Sequence, residues 1–169
     1  MQITDSMQDA LNTQLTREFQ AGYNYYAMAS WLEEEGFPGM AAWMNAQSDE
    51  EWLHARRIGK HVLDRDGSVA PGPIEAPTAA FASVAAVFAA GLDQERMVSA
   101  HINDLYAQAS DERDFAALQV LDWFVAEQIE EEAAFKQIVD DLRLAGDDSR
   151  ALLLLDRELG RRGTPPAAG

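Results

Sequence analysis

The segment Asp49-Glu50-Glu51-Trp52-Leu53-His54 lies in a run of helix-forming residues that contains no glycine or proline between Met40 and Ile58. Glu51 and His54 are three residues apart, so on an α-helix their side chains project from the same face. A carboxylate and an imidazole at this spacing can bind one metal ion, and in helical bundles such a pair can point into the core. One Glu-x-x-His pair arises easily by chance in an acidic helix. The segment therefore predicts a metal site only if other helices supply further inward-facing carboxylates.

Clusters of glycine and proline divide the chain into five segments with helical periodicity. Side-chain oxygens at residues 4–6 can cap the first helix, and the glycines and proline of residues 36–39 end it. Residues 67–77 hold three prolines and two glycines, so they predict a long loop. Asp111 is the expected N-cap of the fourth helix. The predicted helices cover residues 4–35, 38–65, 83–110, 111–144 and 149–160.

Four long helices that are joined by a tight turn, a long loop and a second tight turn indicate one topology. They predict an all-α fold: a four-helix bundle with one long crossover between helices 2 and 3, followed by a short C-terminal fifth helix. We expect a single domain over residues 1–169, with the bundle at 4–145 and a disordered tail at 161–169. The run of leucines at residues 152–155 is too apolar for a free short helix, and it predicts burial against other copies of the chain.

The charge balance of the chain is strongly acidic: 13 basic and 29 acidic residues give a net charge of −16. Such a chain repels phosphate backbones, which argues against nucleic-acid binding, and it attracts cations. The absence of cysteine excludes disulfides and cysteine metal sites. The first residues lack the basic and apolar regions of a signal peptide, and no run approaches the length of a membrane span. We therefore expect a soluble, cytoplasmic protein without membrane contact.

Each of the four long helices carries a carboxylate within the apolar stripe that should face the core. In the first helix, Glu18 stands between Leu15 and Tyr25, where a leucine would pack. Burying an unpaired carboxylate costs on the order of several kcal/mol. A misjudged register would explain one such residue, but four at one level indicate a bound cation. The polar residues at this level are Glu18, Glu51 with His54, Glu95, and Glu131 with Gln128.

These side chains fit two iron ions. Glu18 and His54 would bind one ion, Glu95 and Glu131 would bind the other, and Glu51 would bridge them. Carboxylate oxygens with one imidazole suit iron, although manganese, cobalt and zinc would also bind. The ligand set therefore predicts a di-iron centre inside the bundle.

The fourth-helix segment 127–131 indicates a weaker second position and a third one. Gln128 and Glu131 stand where a second Glu-x-x-His motif would, and an amide is a poor metal ligand, so the iron there should exchange. This asymmetry favours iron that passes through as substrate over a permanently held cofactor. Beside it, Glu127, Glu130 and Glu131 share one helix face, and with Glu50 they could bind a third cation. The alternative is a solvated acidic face.

The chain resembles bacterial non-haem ferritins over nearly its whole length. The most specific motif is Glu127-Gln128-Ile129-Glu130-Glu131, because Glu-Gln-x-Glu-Glu in the fourth helix is a hallmark of that group. Residues 15–19, 49–54, 92–95 and 144–146 match as well. The resemblance implies a ferritin-like fold and a ferroxidase that oxidises Fe(II) with dioxygen or peroxide. It also implies storage of Fe(III) mineral in a hollow shell of 24 subunits, with the fifth helix near the four-fold axes.

Carried over by position, the resemblance implies three iron sites. Tyr25, two turns from Glu18 on the same face, matches a family tyrosine near the iron and could supply an electron during oxygen reduction, as could Trp123. Tyr25 could equally be a packed core residue whose hydroxyl bonds to Glu95 or another ligand. The implied ligands are Glu18, Glu51 and His54 at site A; Glu51, Glu95 and Glu131 at site B, with Gln128 beside them; and Glu50, Glu127, Glu130 and Glu131 at site C.

Neighbouring families fit less well. Bacterioferritins have a methionine after the helix-two glutamate as haem ligand and a histidine in helix four, whereas this chain has Trp52 and Glu131, so we expect no haem. The DNA-protecting mini-ferritins lack the fifth helix, and rubrerythrins need cysteine. Two other functions stay open: a di-iron oxidase or peroxidase with a fixed cofactor, and an acidic helical bundle that binds no metal.

Overall fold

The computed structural model describes residues 2–162, and helices are the only regular secondary structure in that part of the chain. The predicted all-α fold, four long helices with one long crossover and a short fifth helix, is confirmed. Residues 161 and 162 belong to the last helix instead of the predicted tail, and residues 163–169 of that tail lie outside the described range. None of the described helices is both long and apolar enough to cross a membrane. The helices are α1 (Asp5–Glu34), α2 (Pro38–Leu63), α3 (Val84–Asp111), α4 (Phe115–Ala145) and α5 (Ser149–Arg162).

The start of α4 corrects one prediction. Asp111, expected as its N-cap, is the last residue of α3. Arg113 adopts a positive φ of 54°, so the chain turns there before the next helix can begin. Asp114 is the N-cap instead, and its side chain accepts a hydrogen bond from the Ala117 N–H at 3.0 Å.

The core consists of two apolar clusters with a polar layer between them. α1 packs along α2, and α3 packs along α4. One cluster includes Tyr25, Met44 and Phe135, and the other includes Ile58 and Phe124. Between the clusters, each of the four long helices contributes buried polar side chains at one level. This polar layer consists of Glu18, Glu51, His54, Glu95, Gln128 and Glu131, none of them more than 9% exposed.

The crossover between α2 and α3 is bound to α1 by a ladder of side-chain hydrogen bonds. Four α1 residues at intervals of four face its backbone. Asn12, for example, donates to the Ser68 carbonyl and accepts from the Ala70 N–H, both at 2.9 Å. The N–H groups of Ser68, Ala70, Gly72 and Glu75 donate in order to Gln8, Asn12, Thr16 and Gln20. We call this set of contacts the crossover ladder.

α5 packs against the start of α2 within the same chain. The buried carboxylate of Asp156 accepts a hydrogen bond from the Met40 N–H at 2.9 Å, and so caps a helix whose own N-cap residue, Phe37, supplies no side-chain bond. The contact is close, because a Cβ atom on Gly39 would lie 1.9 Å from the Asp156 carbonyl oxygen.

The leucine run of α5 divides between two environments. Leu152 and Leu155 pack against the core of their own chain, so the prediction that the whole run is buried by other copies is wrong for these two. Leu153 and Leu154 are 46% and 66% exposed, and for them it stays a prediction.

Candidate metal centre

Three ligand atoms converge within the polar layer. Glu18 comes from α1, and Glu51 and His54 come from successive turns of α2. One ligand atom from each side chain lies within 4.8 Å of those of the other two. Four buried side-chain atoms of the described residues lack a hydrogen-bond partner, and three of them belong to this group: Glu18 Oε2, Glu51 Oε2 and His54 Nδ1. Buried polar atoms are rarely left in this state, so the three atoms are suited to a shared cation.

The electrostatics of this group support the same conclusion. Burial raises the pKa of Glu18 well above its usual range, and the neighbouring charge of Glu51 raises it further. Burial also raises the pKa of Glu51, with Glu95 as the next cause. His54 Nδ1 lies 3.5 Å from Glu51 Oε2, and its imidazole is the only basic side chain in direct contact with that carboxylate in the described part of the chain. A divalent cation would offset the cost of burying the two carboxylates of Glu18 and Glu51 next to each other.

Glu95 is held differently. Its Oε1 accepts a hydrogen bond from the Tyr25 hydroxyl, and its Oε2 accepts one from Gln128 Nε2 at 2.9 Å. Burial is the largest cause that raises the pKa of both Tyr25 and Glu95. Within residues 2–162, the carboxylates of Glu51, Glu95 and Glu131 do not form a three-ligand group like the first one. The residues of the second predicted position therefore lie in the same polar layer, but both oxygens of Glu95 already accept hydrogen bonds.

A second ligand group lies beside the first and nearer to the surface. It contains Glu50, His54 and Glu127, of which the two glutamates are half-buried. Burial raises the pKa of Glu131 to about 9, and the charges of Glu95, Glu50 and Glu127 add to the effect. Glu130 is exposed and also acts on Glu131 through its charge. Of the four residues predicted for the third position, Glu50 and Glu127 thus share a ligand group with His54, whereas Glu130 and Glu131 belong to no three-ligand group among the described residues.

Comparison with known proteins agrees with this geometry. The ferritin-like domain family matches residues 8–145, which include every residue of the polar layer. The chain belongs to the ferritin family. Its membership rests on most of its length and not on one motif.

The relatives of this ferritin-family chain include bacterial and archaeal proteins. A bacterial non-heme ferritin of Staphylococcus saprophyticus is 37% identical, and the alignment covers 91% of this chain and 92% of that protein. A probable bacterial non-heme ferritin-like protein of Haemophilus influenzae is 32% identical over 96% and 98% of the two chains. Among solved structures, an open pore ferritin of Archaeoglobus fulgidus superposes with a TM-score of 0.93 at 40% identity, covering 94% of this chain and 98% of its own.

Aromatic side chains border the centre of this ferritin-family chain on the α4 side. The His54 ring meets Trp123 and Phe124 edge-on, with centroids 5.3 and 5.7 Å apart. The Arg57 guanidinium lies 3.8 Å from the Trp123 ring centroid, as in a cation–π contact. Trp123 is half-buried, so it connects the centre with the surface.

Two residues near the centre were not singled out from the sequence. Gln14 is completely buried and donates from Nε2 to Glu18 Oε1 at 2.9 Å. Ser99 of α3 donates its hydroxyl to Glu132 and accepts from Gln128. The signal for Gln14 was available, because it precedes Glu18 by four residues and shares its helix face.

Proposed function

We propose that the protein stores iron: it oxidises Fe(II) at the buried Glu/His centre and deposits the Fe(III) as mineral inside a hollow homo-oligomeric shell. The observation that carries this proposal is the convergence of Glu18 Oε2, Glu51 Oε2 and His54 Nδ1, three buried ligand atoms that lack a hydrogen-bond partner among the described residues. Membership of the ferritin family supports the storage role.

In this proposal Fe(II) is a substrate that occupies the centre in steps. Glu18, Glu51 and His54 provide the first position, where oxygen and imidazole ligands suit Fe(II). Their ligand atoms already lie within 4.8 Å of one another, so these side chains need to move little when a metal ion binds. Because the pKa values of Glu18 and Glu51 are raised, metal binding releases any proton that they hold.

The second position is assembled only when a donor leaves Glu95. Glu51 is the bridge in this proposal, and Glu95 and Glu131 complete the ligand set, with Gln128 beside them. Since Tyr25 and Gln128 occupy both oxygens of Glu95, an iron ion must displace one of these bonds to bind. The resulting weaker affinity favours release of the oxidised ion. Glu50, Glu127, Glu130 and Glu131 form the third position on the way out.

The remaining features of the proposal follow from the family resemblance. We propose 24 subunits per shell, dioxygen or peroxide as the oxidant and a cytoplasmic location. Tyr25 and Trp123 are the candidate electron donors during oxygen reduction, and the contact of Tyr25 with Glu95 supports its candidacy. Trp52 stands where bacterioferritins have their haem methionine, so the proposal includes no haem.

Aerobic addition of Fe(II) to the purified protein tests the function. The Fe(III) absorbance gives the oxidation rate, and the iron retained after desalting gives the storage capacity. We expect far more iron per chain than the two or three ions that the centre holds, and slow oxidation in Glu51→Ala. Glu33→Ala, which removes an exposed carboxylate at the end of α1, is the matched control.

Two outcomes would contradict the proposal. Retention of only about two ions per chain, the capacity of a paired site, would indicate a di-iron oxidase with a fixed cofactor. Oxidation no faster than in buffer would leave an acidic helical bundle without this chemistry.

A further inference from the structure

We infer that Gln14 is a positioning residue for the iron centre: held by Arg17, its amide orients the Glu18 carboxylate so that Oε2 faces the first iron position. This inference rests on the proposed function, because it gives a role to Gln14 at the same site. It adds two residues, Gln14 and Arg17, that lie outside the ligand set.

Gln14 is a polar residue in an apolar place. Its side chain is 0% exposed, and Leu11 and Leu15 of the same helix pack in the cluster around it. A buried amide is stable only when its donor and acceptor groups are bonded. Gln14 meets this condition with two partners from its own helix: it donates from Nε2 to Glu18 Oε1 at 2.9 Å and accepts at Oε1 from Arg17 Nη1 at 3.4 Å.

The two partners permit only one orientation of the amide. A guanidinium has donors and no acceptor, so it selects the oxygen end of the Gln14 side chain. In the ionised form that binds a metal, the Glu18 carboxylate has acceptors and no donor, so it selects the nitrogen end. A flipped amide would place oxygen against oxygen at Glu18 and N–H groups against N–H groups at Arg17. Both contacts therefore fix Gln14 Nε2 towards Glu18.

The amide in turn fixes the Glu18 carboxylate. The terminal torsion of a glutamate is broad and roughly two-fold, so nothing intrinsic decides which oxygen faces the metal position. Because Gln14 engages Oε1, Oε2 is the oxygen left without a hydrogen-bond partner among the described residues, and Glu18 contributes a ligand atom to the group with Glu51 and His54. The bond also holds Glu18 in place against the repulsion of Glu51, which is the second cause of its raised pKa.

Gln14→Met tests the inference, because methionine keeps the length of the unbranched side chain and removes the donor. The measurement is an anaerobic titration of the full-length protein with Co(II), whose visible absorption bands report the ligand geometry without oxidation. We expect the affinity for the first Co(II) to fall about ten- to a hundredfold, as loss of one hydrogen bond to a charged group predicts. The assembly size should equal that of the parent protein.

Two further variants sharpen the test. Arg17→Gln removes the group that holds the amide and leaves Gln14 in place, so we expect a smaller fall, about twofold, that corresponds to a weak exposed contact. Gln119→Met makes the same chemical change as Gln14→Met at an exposed position of α4 and should bind Co(II) as the parent does.

Parent affinity for Co(II) in Gln14→Met would overturn the inference, because a purely structural role changes the melting midpoint and not the metal affinity. Should that variant fail to assemble, Arg17→Gln decides the matter, and parent affinity there would overturn it. Failure of the proposed function is distinguishable: without a metal centre the parent and Glu51→Ala would bind Co(II) equally, and a fixed-cofactor oxidase would retain only about two iron ions per chain after desalting.

Discussion

At the scale of single residues, the polar layer is built from acids that have no basic side chain among their main electrostatic partners except His54. Asp114, whose side chain is buried outside this layer, is paired: it bonds to Arg65 Nη1 at 2.8 Å, and its pKa is lowered even though burial alone would raise it. In the polar layer the pKa values of Glu18, Glu51 and Glu131 are raised. The protein therefore tolerates a local instability that a cation would relieve.

The metal-free protein should lose stability as the pH rises. The pKa of Glu131 is about 9 in the fold against an ordinary 4.5, so between these values the folded chain holds a proton that the unfolded chain releases. Unfolding then releases protons, and the free energy of unfolding falls by at most about 1.4 kcal/mol per pH unit for one such group. Below 4.5 the contribution of Glu131 is fully present.

Melting midpoints of the metal-free protein between pH 5 and pH 9 check this prediction. Glu131→Gln mimics the protonated acid, so its midpoint should depend less on pH and exceed that of the parent at pH 8. Co(II) should raise the parent midpoint most at high pH. An equal pH slope in the parent and in Glu131→Gln would show that Glu131 is ionised in the fold.

His54 should be indispensable for oxidation because it belongs to both ligand groups. We expect His54→Ala to oxidise Fe(II) at least about tenfold more slowly than the parent, since an imidazole ligand is lost. His61→Ala is the matched control, because His61 lies on the same helix and contacts Arg65 instead of the centre. Stopped-flow absorbance of Fe(III) measures both rates, and equal losses in the two variants would point to damage of α2 instead.

The buried polar layer could be predicted from the sequence because a helix converts spacing into direction, and the role of its residues as metal ligands stays a prediction. Glu18, Glu51, His54 and Glu95 each interrupt an apolar stripe, and a charged residue in a stripe is conspicuous. Gln14 was missed because a neutral amide is unremarkable in sequence, and its role depends on its two partners. The bond between Tyr25 and Glu95 was foreseen as one of two alternatives, and the electron-donor role of Tyr25 stays a proposal.

At the scale of elements, the positions of glycine and proline predicted where the helices lie in the sequence, but not which residues of different helices contact each other. Caps that act within one turn, such as Thr4 on the Met7 N–H, are visible in sequence. The cap that Asp156 supplies to Met40 spans 116 positions, and no local pattern shows it. The later start of α4 was also missed, because the positive φ of Arg113 could not be predicted from its residue type.

Gly39→Ala should detach α5 from α2. The added Cβ would lie 1.9 Å from the Asp156 carbonyl oxygen, which is backbone and cannot rotate away. We expect a loss of about 1–3 kcal/mol, as overpacking of a tight contact predicts. Hydrogen exchange should show faster exchange in α5 and at the Met40 amide, while Ala42→Ser, an exposed change on the same helix, leaves both unaffected. Unchanged protection in Gly39→Ala would mean that the two helices can separate slightly without loss.

At the scale of the whole molecule, charge should govern how fast iron arrives. The chain carries a net charge of −16, and an assembly of many such chains attracts cations over long distances. The Debye length falls from about 10 Å at 0.1 M salt to about 3 Å at 1 M. We therefore expect the initial rate of Fe(II) oxidation at limiting iron to fall about two- to tenfold over this range.

Rates measured in NaCl at constant pH, corrected for oxidation in buffer alone, check this prediction. The rate at saturating Fe(II) serves as the control, since salt should affect it little when arrival is no longer limiting. A salt effect of equal size at saturating iron would place the effect in the chemistry of the centre.

The crossover ladder fixes the number of residues in the connection between the two halves of the bundle. Two extended residues cover about 6.6 Å and four helical residues about 6.0 Å, so residues 68, 70 and 72 keep step with every fourth residue of α1, and the last step, to residue 75, is one residue longer. Pro71 and Pro73 occupy the intervening places, where no N–H is required. The ladder contacts only backbone groups, so substitutions at the exposed side chains of the crossover should change little. One residue inserted after Val69 would bring Pro71 opposite Thr16 and remove the donor. Related chains should therefore vary in the amino-acid sequence of this segment but keep its number of residues.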